Sequence, residues 1–275
     1  MFSMYWAAEA AKTPPPWLGF VSGGLAAQFV FVVFLFAATY GLIRRLQGGG
    51  RVAAIRKIAG LDAINEAVGR ATEMGRPVHF TPGIGATSDP QSYAAFAVLG
   101  EVGKLTARYD TRIIVTTANA IMTAITDEIV RGAYLESGRP DAFNPDDIRY
   151  LSSAQFAYSA QVLGIFEREK VAANIMVGVF AAEALLLAEA GAQIGAIQIA
   201  ASTNTFQLPF FVAACDYTLI GDEMYAASAY LSKDPALTGT VVAEDWAKML
   251  ILGVVVLGAI LNTVGSKWLQ NILNR

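Results

Sequence analysis

The residues of this sequence that are best suited to chemistry are hydroxyls, amides and glycines that follow short apolar runs. The first group spans residues 81–89 and reads TPGIGATSD. Glycines allow close backbone approach to a ligand, and a helix that begins next presents its N-terminus to an anion. Similar polar groups follow later apolar runs, and together they predict a site for a small anionic ligand. The expected ligand-binding residues are Thr81, Gly83, Gly85, Thr87, Ser88, Thr116, Thr117, Asn119, Ser202, Thr203 and Asn204.

Each polar group also has a purely structural interpretation. Ser88 or Asp89 can cap a helix that begins at Pro90, Asn119 can cap the next helix, and residues 202–205 can form a turn. The first loop has neither the Gly-Lys-Ser/Thr of the nucleotide P-loop nor the GxGxxG pattern of dinucleotide-binding folds. Only the convergence of several loops would create a pocket.

No catalytic residue is predicted. His79 stands at the start of its apolar run and Cys215 precedes a different one, so neither fits a nucleophile–base arrangement, and His79 is expected to be buried or at an interface and bonded to backbone. Glu183, Asp222 and Glu223 are weak candidates for a cation site or an acid–base pair. Carboxylates at helix starts are usually solvated and stabilise the helix dipole, so neither a metal nor a cofactor is expected.

Alternating strands and helices must position these loops. This alternation predicts an α/β fold with a parallel, Rossmann-like sheet and helices on both faces, whose strand ends gather the loops at one edge. A rival interpretation, a membrane helix over 171–195, would place Glu183 and Glu189 in lipid at high cost. The strand-like runs are 78–81, 112–117, 171–180, 196–200 and 217–220, and the helical stretches are 90–108, 119–136, 153–169, 181–193 and 222–232. Residues 137–147 are expected to be an exposed lid or a subunit contact.

The composition points to a membrane protein, because 55% of the residues are hydrophobic and only 16% are charged, whereas soluble domains are about a quarter charged. Residues 17–43 are uncharged and long enough to span a bilayer as a helix. Residues 249–266 are also uncharged, and Trp246 and Trp268 lie on either side of them as at two membrane interfaces. Two transmembrane helices are therefore predicted.

The basic residues Arg44, Arg45, Arg51, Arg56 and Lys57 follow the first predicted span, and only Lys12 precedes it. By the positive-inside rule, the N-terminus is expected outside the cell membrane and the main domain in the cytoplasm. The predicted organisation is a short extracytoplasmic leader (1–16), a first span (17–43), a basic juxtamembrane segment with an amphipathic helix (44–76), a cytoplasmic α/β domain (77–245), and a second span with a short tail (246–275).

The net charge argues against nucleic-acid binding. A net charge of −3 leaves no basic surplus for a nucleic-acid backbone. The Ala- and Gly-rich helices favour self-association, and a shared membrane plane favours a ring. The first expectation is therefore a membrane-anchored, homo-oligomeric scaffold without enzymatic activity, in contact with lipid. The alternatives are a membrane-bound enzyme or sensor for a small anionic ligand, and an accessory subunit of a larger membrane complex.

Two stretches carry a resemblance to a known family. The first runs from Leu61 to Pro77 and continues into the loop at 81–85, and the second comprises 188–195 and 203–209. They resemble an uncharacterised family of prokaryotic membrane-anchored proteins, a domain of unknown function, over most of residues 52–265. The resemblance implies a membrane-anchored cytoplasmic domain, and it assigns neither an activity nor catalytic residues.

Overall fold

The computed structural model describes residues 26–47, 59–232 and 235–263, and its contacts form a helical unit and an α/β unit. The helices of the described residues are α1 (Ala26–Gln47), α2 (Ala59–Met74), α3 (Pro90–Arg108), α4 (Ala120–Glu136), α5 (Gln155–Glu169), α6 (Glu183–Gln193), α7 (Leu208–Ala214), α8 (Asp222–Ser232) and α9 (Pro235–Thr263). The strands are β1 (Val78–Gly83), β2 (Ile113–Thr117), β3 (Ile148–Tyr150), β4 (Ala173–Val179), β5 (Ile197–Ser202) and β6 (Tyr217–Ile220). Helices α1 and α9 belong to the helical unit, and the other elements belong to the α/β unit.

The six strands form one parallel sheet in the order β3-β2-β1-β4-β5-β6. This is the doubly wound Rossmann order, in which the chain reverses its direction of travel between β1 and β4. The predicted parallel α/β fold is confirmed. The register places His79 of β1 beside Asn174 of β4, and Asn174 beside Gln198 of β5.

Helices cover both faces of the sheet, as predicted. Helices α2, α3, α4 and α8 pack on one face over a core that includes Phe80, Val115 and Ile175. Helices α5, α6 and α7 pack on the other face over a second cluster, in which Tyr158 and Phe166 are fully buried. Because the central strands are covered on both sides, their sequences are apolar without alternation.

Two elements were not predicted. Strand β3 has only three residues at a sheet edge, two of them half-buried and Tyr150 exposed. It follows the predicted loop 137–147, which contains two short 3-10 helices, Pro140–Ala142 and Pro145–Asp147. Helix α7 has seven residues and no polar face. The rival membrane helix over 171–195 is wrong, since β4 and α6 occupy that range.

In the helical unit, α1 packs against α9. Both helices expose large apolar side chains, among them Phe36 on α1 and Val255 on α9. Within the described ranges, no helix combines the length and apolar character needed to cross a membrane. Residues 1–25, 48–58 and 264–275 lie outside the described part of the chain, and they include the predicted leader, the start of the first predicted span and the end of the second.

Candidate functional site

Doubly wound folds bind ligands at the carboxyl edge of the sheet. In this protein, the backbones of β1 and β4 pack closely against each other at that edge. Gly83 has φ 78° and Gly178 has φ 146°. A Cβ added at Gly83 would lie 2.0 Å from the carbonyl oxygen of Val179, and one at Gly178 would lie 2.1 Å from that of Pro82. The backbone N–H of Ile84 donates to the same Val179 oxygen at 2.9 Å. The glycines thus allow the ends of β1 and β4 to lie in close contact.

Three of the threonines predicted to bind a ligand, Thr81, Thr116 and Thr117, are fully buried and bonded to other side chains. The hydroxyls of Thr81 and Thr116 lie 2.5 and 3.1 Å from the Tyr158 hydroxyl. The Thr117 hydroxyl lies 2.6 Å from that of Thr123 in the first turn of α4. These three hydroxyls therefore join helices to strands.

The other predicted polar residues lie nearer the surface. Asn119 caps α4 by accepting the N–H of Ile121 at 2.9 Å, which confirms its structural interpretation. The side chains of Ser202 and Asn204 each accept an N–H two residues along the chain. Gly85 is buried, and a Cβ there would lie 2.7 Å from the Val179 side chain. Thr87, Ser88 and Thr203 are at least partly exposed. The structure brings these loops to one edge, and a ligand there stays a prediction.

Asp89 occupies the N-cap position of α3 but does not cap it with its side chain. Its carboxylate instead accepts the N–H of Ala86 at 2.7 Å. The first loop thus places a carboxylate beside the helix start where an anionic ligand was expected. Like charge at this position disfavours such a ligand.

Glu183 is fully buried, which corrects the expectation of a solvated helix start. Its carboxylate accepts the side-chain N–H of Gln155 at 2.5 Å and the backbone N–H of Ala181 at 2.9 Å. Glu223 accepts the N–H of Ile220 at 3.2 Å, while Asp222 is exposed. The described residues contain no group of three or more acids, histidines or cysteines that could hold a metal ion.

His79 is buried, as predicted, but its partners are side chains rather than backbone. Its Nδ1 lies 2.8 Å from Asn174 Oδ1, and its Nε2 lies 2.9 Å from the Thr116 hydroxyl. Burial lowers the pKa of His79 to about 4, against a smaller opposing effect of the Asn174 hydrogen bond, and the positive charge of Arg149 lowers it further. The ring is therefore neutral at physiological pH. Burial likewise raises the pKa of the Cys215 thiol to about 12, so this thiol is a poor nucleophile.

The amides beyond His79 fix its tautomer. Gln198 Nε2 donates to the carbonyl oxygens of Ala188 and Ala214 at 2.7 and 2.9 Å, so Gln198 Oε1 must accept from Asn174 Nδ2 at 3.0 Å. Asn174 Oδ1 is then the acceptor facing His79, which makes Nδ1 the protonated nitrogen. Nε2 in turn accepts the Thr116 hydroxyl proton.

The chain of hydrogen bonds continues from Thr116 to the end of β1. Burial raises the pKa of Tyr158 to about 12, against hydrogen bonds with Thr116 and Thr81, and its hydroxyl therefore keeps its proton. Because the Thr116 hydroxyl donates to His79, the Tyr158 hydroxyl donates to Thr116, and the Thr81 hydroxyl donates to Tyr158. The backbone N–H of Gly83 donates to Thr81 at 2.9 Å. We name this series, from Gly83 through His79 to Gln198, the buried hydrogen-bond chain.

Sequence reasoning did not predict the buried hydrogen-bond chain. Asn174 and Gln198 are single polar residues within strands whose other residues are mostly apolar. A lone amide in a strand covered on both faces needs a buried partner, and this was the available signal. The identity of the partner depends on the strand order, which the sequence pattern does not specify.

The exposed part of the carboxyl edge carries many large apolar side chains, and the described strand-end segments contain no basic residue. None of the strand-end segments 81–93, 117–123, 150–157, 179–186, 202–212 and 220–225 contains Lys or Arg. Phe206 is 82% exposed and Phe156 is 68% exposed. The other exposed large apolar side chains in these segments are Tyr93, Ile121, Tyr150, Leu185, Leu186, Phe210, Val212 and Ile220. We name these ten residues the apolar rim. Such a surface is typical of protein contacts rather than of an anion site.

The amino edge of the sheet carries an ion network that the sequence did not reveal. Arg112 binds the buried Asp147 through two nitrogens, at 2.6 and 2.8 Å, and binds Glu169 at 2.8 Å. Arg149 lies 3.2 Å from both acids. Partial burial opposes ionisation of Glu169, but the two arginines outweigh it and lower its pKa. A cavity of about 270 Å³ lies beside Arg112 and Asp147, and its nearby charges are already paired.

Comparison with known proteins identifies the family but no individual relative. No curated protein and no solved structure matches the chain. The family described as Domain of unknown function (DUF6754) matches residues 18–273, nearly the whole chain. The protein therefore belongs to the family Domain of unknown function (DUF6754).

Proposed function

We propose that this protein is a membrane-anchored scaffold that assembles from copies of itself through its α/β unit. The apolar rim carries the proposal. It occupies the edge where a doubly wound fold takes ligands, yet it offers exposed apolar side chains and no cation. Contiguous apolar surface is costly in water, and burying it against another protein surface removes that cost.

Membrane anchoring is supported by the helical unit. Between Lys12 and Arg44 the sequence has no charged residue, and this run extends past the described start of α1. Helices α1 and α9 expose Val33, Phe36 and Val255 among other apolar side chains. Acyl chains of a bilayer solvate such an apolar surface better than water does. The arginines after the first apolar run favour a cytoplasmic position for the α/β unit. Anchors in one membrane plane favour a ring of copies over a dihedral assembly.

The two alternatives have less support. An enzyme or sensor for an anionic ligand needs a cation or free N–H groups at the strand ends, and this edge has Asp89, Glu183 and Glu223 but no Lys or Arg. An accessory subunit of a membrane complex would also use the apolar rim. Self-association is preferred because the strand-end segments that carry the apolar rim contain no basic residue and few acids, so a second copy meets little like-charge repulsion.

The test is the mass of the full chain after gentle detergent extraction, measured by multi-angle light scattering. We expect a complex of several copies. A Phe156→Ser/Phe206→Ser variant should give smaller complexes, because it makes the rim polar. Leu135→Ser is the matched control, since Leu135 is 65% exposed but lies at the end of α4, at the opposite edge, and its complexes should keep the wild-type mass.

A monomeric wild-type protein would overturn the scaffold. A stoichiometric unrelated chain in the purified complex would favour the accessory-subunit alternative instead. Equal loss of mass in the control and the rim variant would show that general destabilisation, rather than the rim, controls assembly.

A further inference from the structure

An apolar groove lies between the two helices of the helical unit. Its volume is about 740 Å³, within the usual range of small-molecule sites. Helix α1 contributes Phe34, Leu35, Ala38, Gly41, Leu42 and Arg45 to the lining, and α9 contributes Ala243, Trp246, Ala247, Met249 and Leu250. Apart from Arg45, the lining consists of small residues and larger apolar side chains.

Arg45 is the one charged residue among those that line the groove, and it lies near the end of α1. The preceding Arg44 behaves differently. Its Nε donates to the Tyr40 hydroxyl at 2.9 Å, and its guanidinium carbon lies 5.4 Å from the centre of the Tyr40 ring. On α9, Glu244 binds Lys248 at 2.9 Å. Arg45 therefore supplies the groove's charge, whereas Arg44 is occupied on its own helix.

We propose that this groove binds a membrane lipid with an anionic headgroup. An acyl chain lies along the apolar walls, and the phosphate contacts the Arg45 guanidinium. Trp246 lines the groove and is exposed, as expected for an indole between headgroups and acyl chains. The site rests on the proposed membrane anchoring and adds a lipid specificity to it.

The single charge favours a lipid over a helix from a second copy. A lipid has an apolar part and one anionic end, so it matches a groove that has uncharged walls and one cation. An apolar helix segment would fill the walls but would give the Arg45 guanidinium no anion, whereas a lipid phosphate pairs with it. Basic residues near the cytoplasmic membrane surface attract anionic lipids.

The experiment is native mass spectrometry of the full chain in nanodiscs that contain equal amounts of phosphatidylcholine and phosphatidylglycerol. We expect retained phosphatidylglycerol in preference to phosphatidylcholine. Arg45→Gln should lower the retained phosphatidylglycerol about fivefold, as expected for one basic residue at an anionic lipid surface. Arg44→Gln removes the same charge from the neighbouring position and should leave retention unchanged.

Three results would overturn the lipid site: equal retention of both lipids, equal loss in the two variants, and a disulfide between copies. The last is tested with Ala247→Cys in a Cys215→Ala background, where a disulfide-linked dimer would place a second copy in the groove. Anchoring itself is measured separately by alkaline carbonate extraction of native membranes. Release of the chain would refute the anchoring, whereas a retained chain without lipid preference would refute only the lipid site.

Discussion

The pH dependence of stability should report the burial of neutral His79. In the unfolded chain its pKa is 6.5, and in the folded protein it is about 4. Between these values the unfolded state binds the proton and the folded state does not, so stability falls as pH falls through this window. The two values differ by about 2.5, and each unit of pKa corresponds to about 1.4 kcal/mol, so the full effect is about 3 kcal/mol. Above pH 6.5 this contribution is fully present, and about 2 kcal/mol of it is lost by pH 5.

The assay is urea-induced unfolding of the detergent-solubilised full chain, followed by far-UV circular dichroism, at half-unit steps from pH 7.5 to 5. His79→Gln is the comparison, because glutamine has an amide in place of the imidazole and does not titrate. The variant should be less stable at pH 7.5 but should lose about 2 kcal/mol less than the wild type between pH 7.5 and pH 5. Carboxylates titrate in both proteins, so the difference isolates His79. Parallel stability curves for the two proteins would refute the assignment.

Further unfolding measurements at pH 7.5 test the packing around this histidine and the ion network. Gly191→Ala should cost about 2 kcal/mol, because its Cβ would lie 2.2 Å from Gln198 Oε1, whereas Gly69→Ala, with nothing within 4 Å, should be neutral or slightly stabilising. Equal effects of the two glycine variants would contradict the close packing. Asp147→Ala should cost about 1.5 kcal/mol, because it removes the bidentate partner of Arg112, which is 45% exposed and keeps its bond to Glu169. A loss below about 0.5 kcal/mol would instead place the network among weak surface pairs.

The sequence predicted the fold class because each central strand is buried on both faces and helices α3 to α6 each follow a strand. Helices α3 and α8 have the predicted bounds, and β6 does as well. The short elements escaped prediction for a physical reason. Strand β3 is held by pairing with β2, and three residues, none of them fully buried, carry too little periodicity to show it.

Burial of polar side chains could not be predicted from local pattern. Glu183 follows a strand and begins a helix, which is normally a solvated position. Its partner Gln155 starts a helix 28 residues earlier. The contact exists only because α5 and α6 lie side by side on the same face. The candidate loops were placed correctly at one edge, but their hydrogen bonds to neighbouring backbone depend on tertiary detail.

The buried hydrogen-bond chain constrains how this protein can change during evolution. Each member donates in one direction and accepts from the other, and its ends are fixed by the Gly83 N–H and by the carbonyl oxygens that Gln198 contacts. If one member is replaced by a residue that donates where it accepted, or accepts where it donated, both neighbouring members must also exchange their donor and acceptor roles. Positions 79, 116, 158, 174 and 198 should therefore be inherited as a block, so that a family member lacking His79 differs at several of the others too.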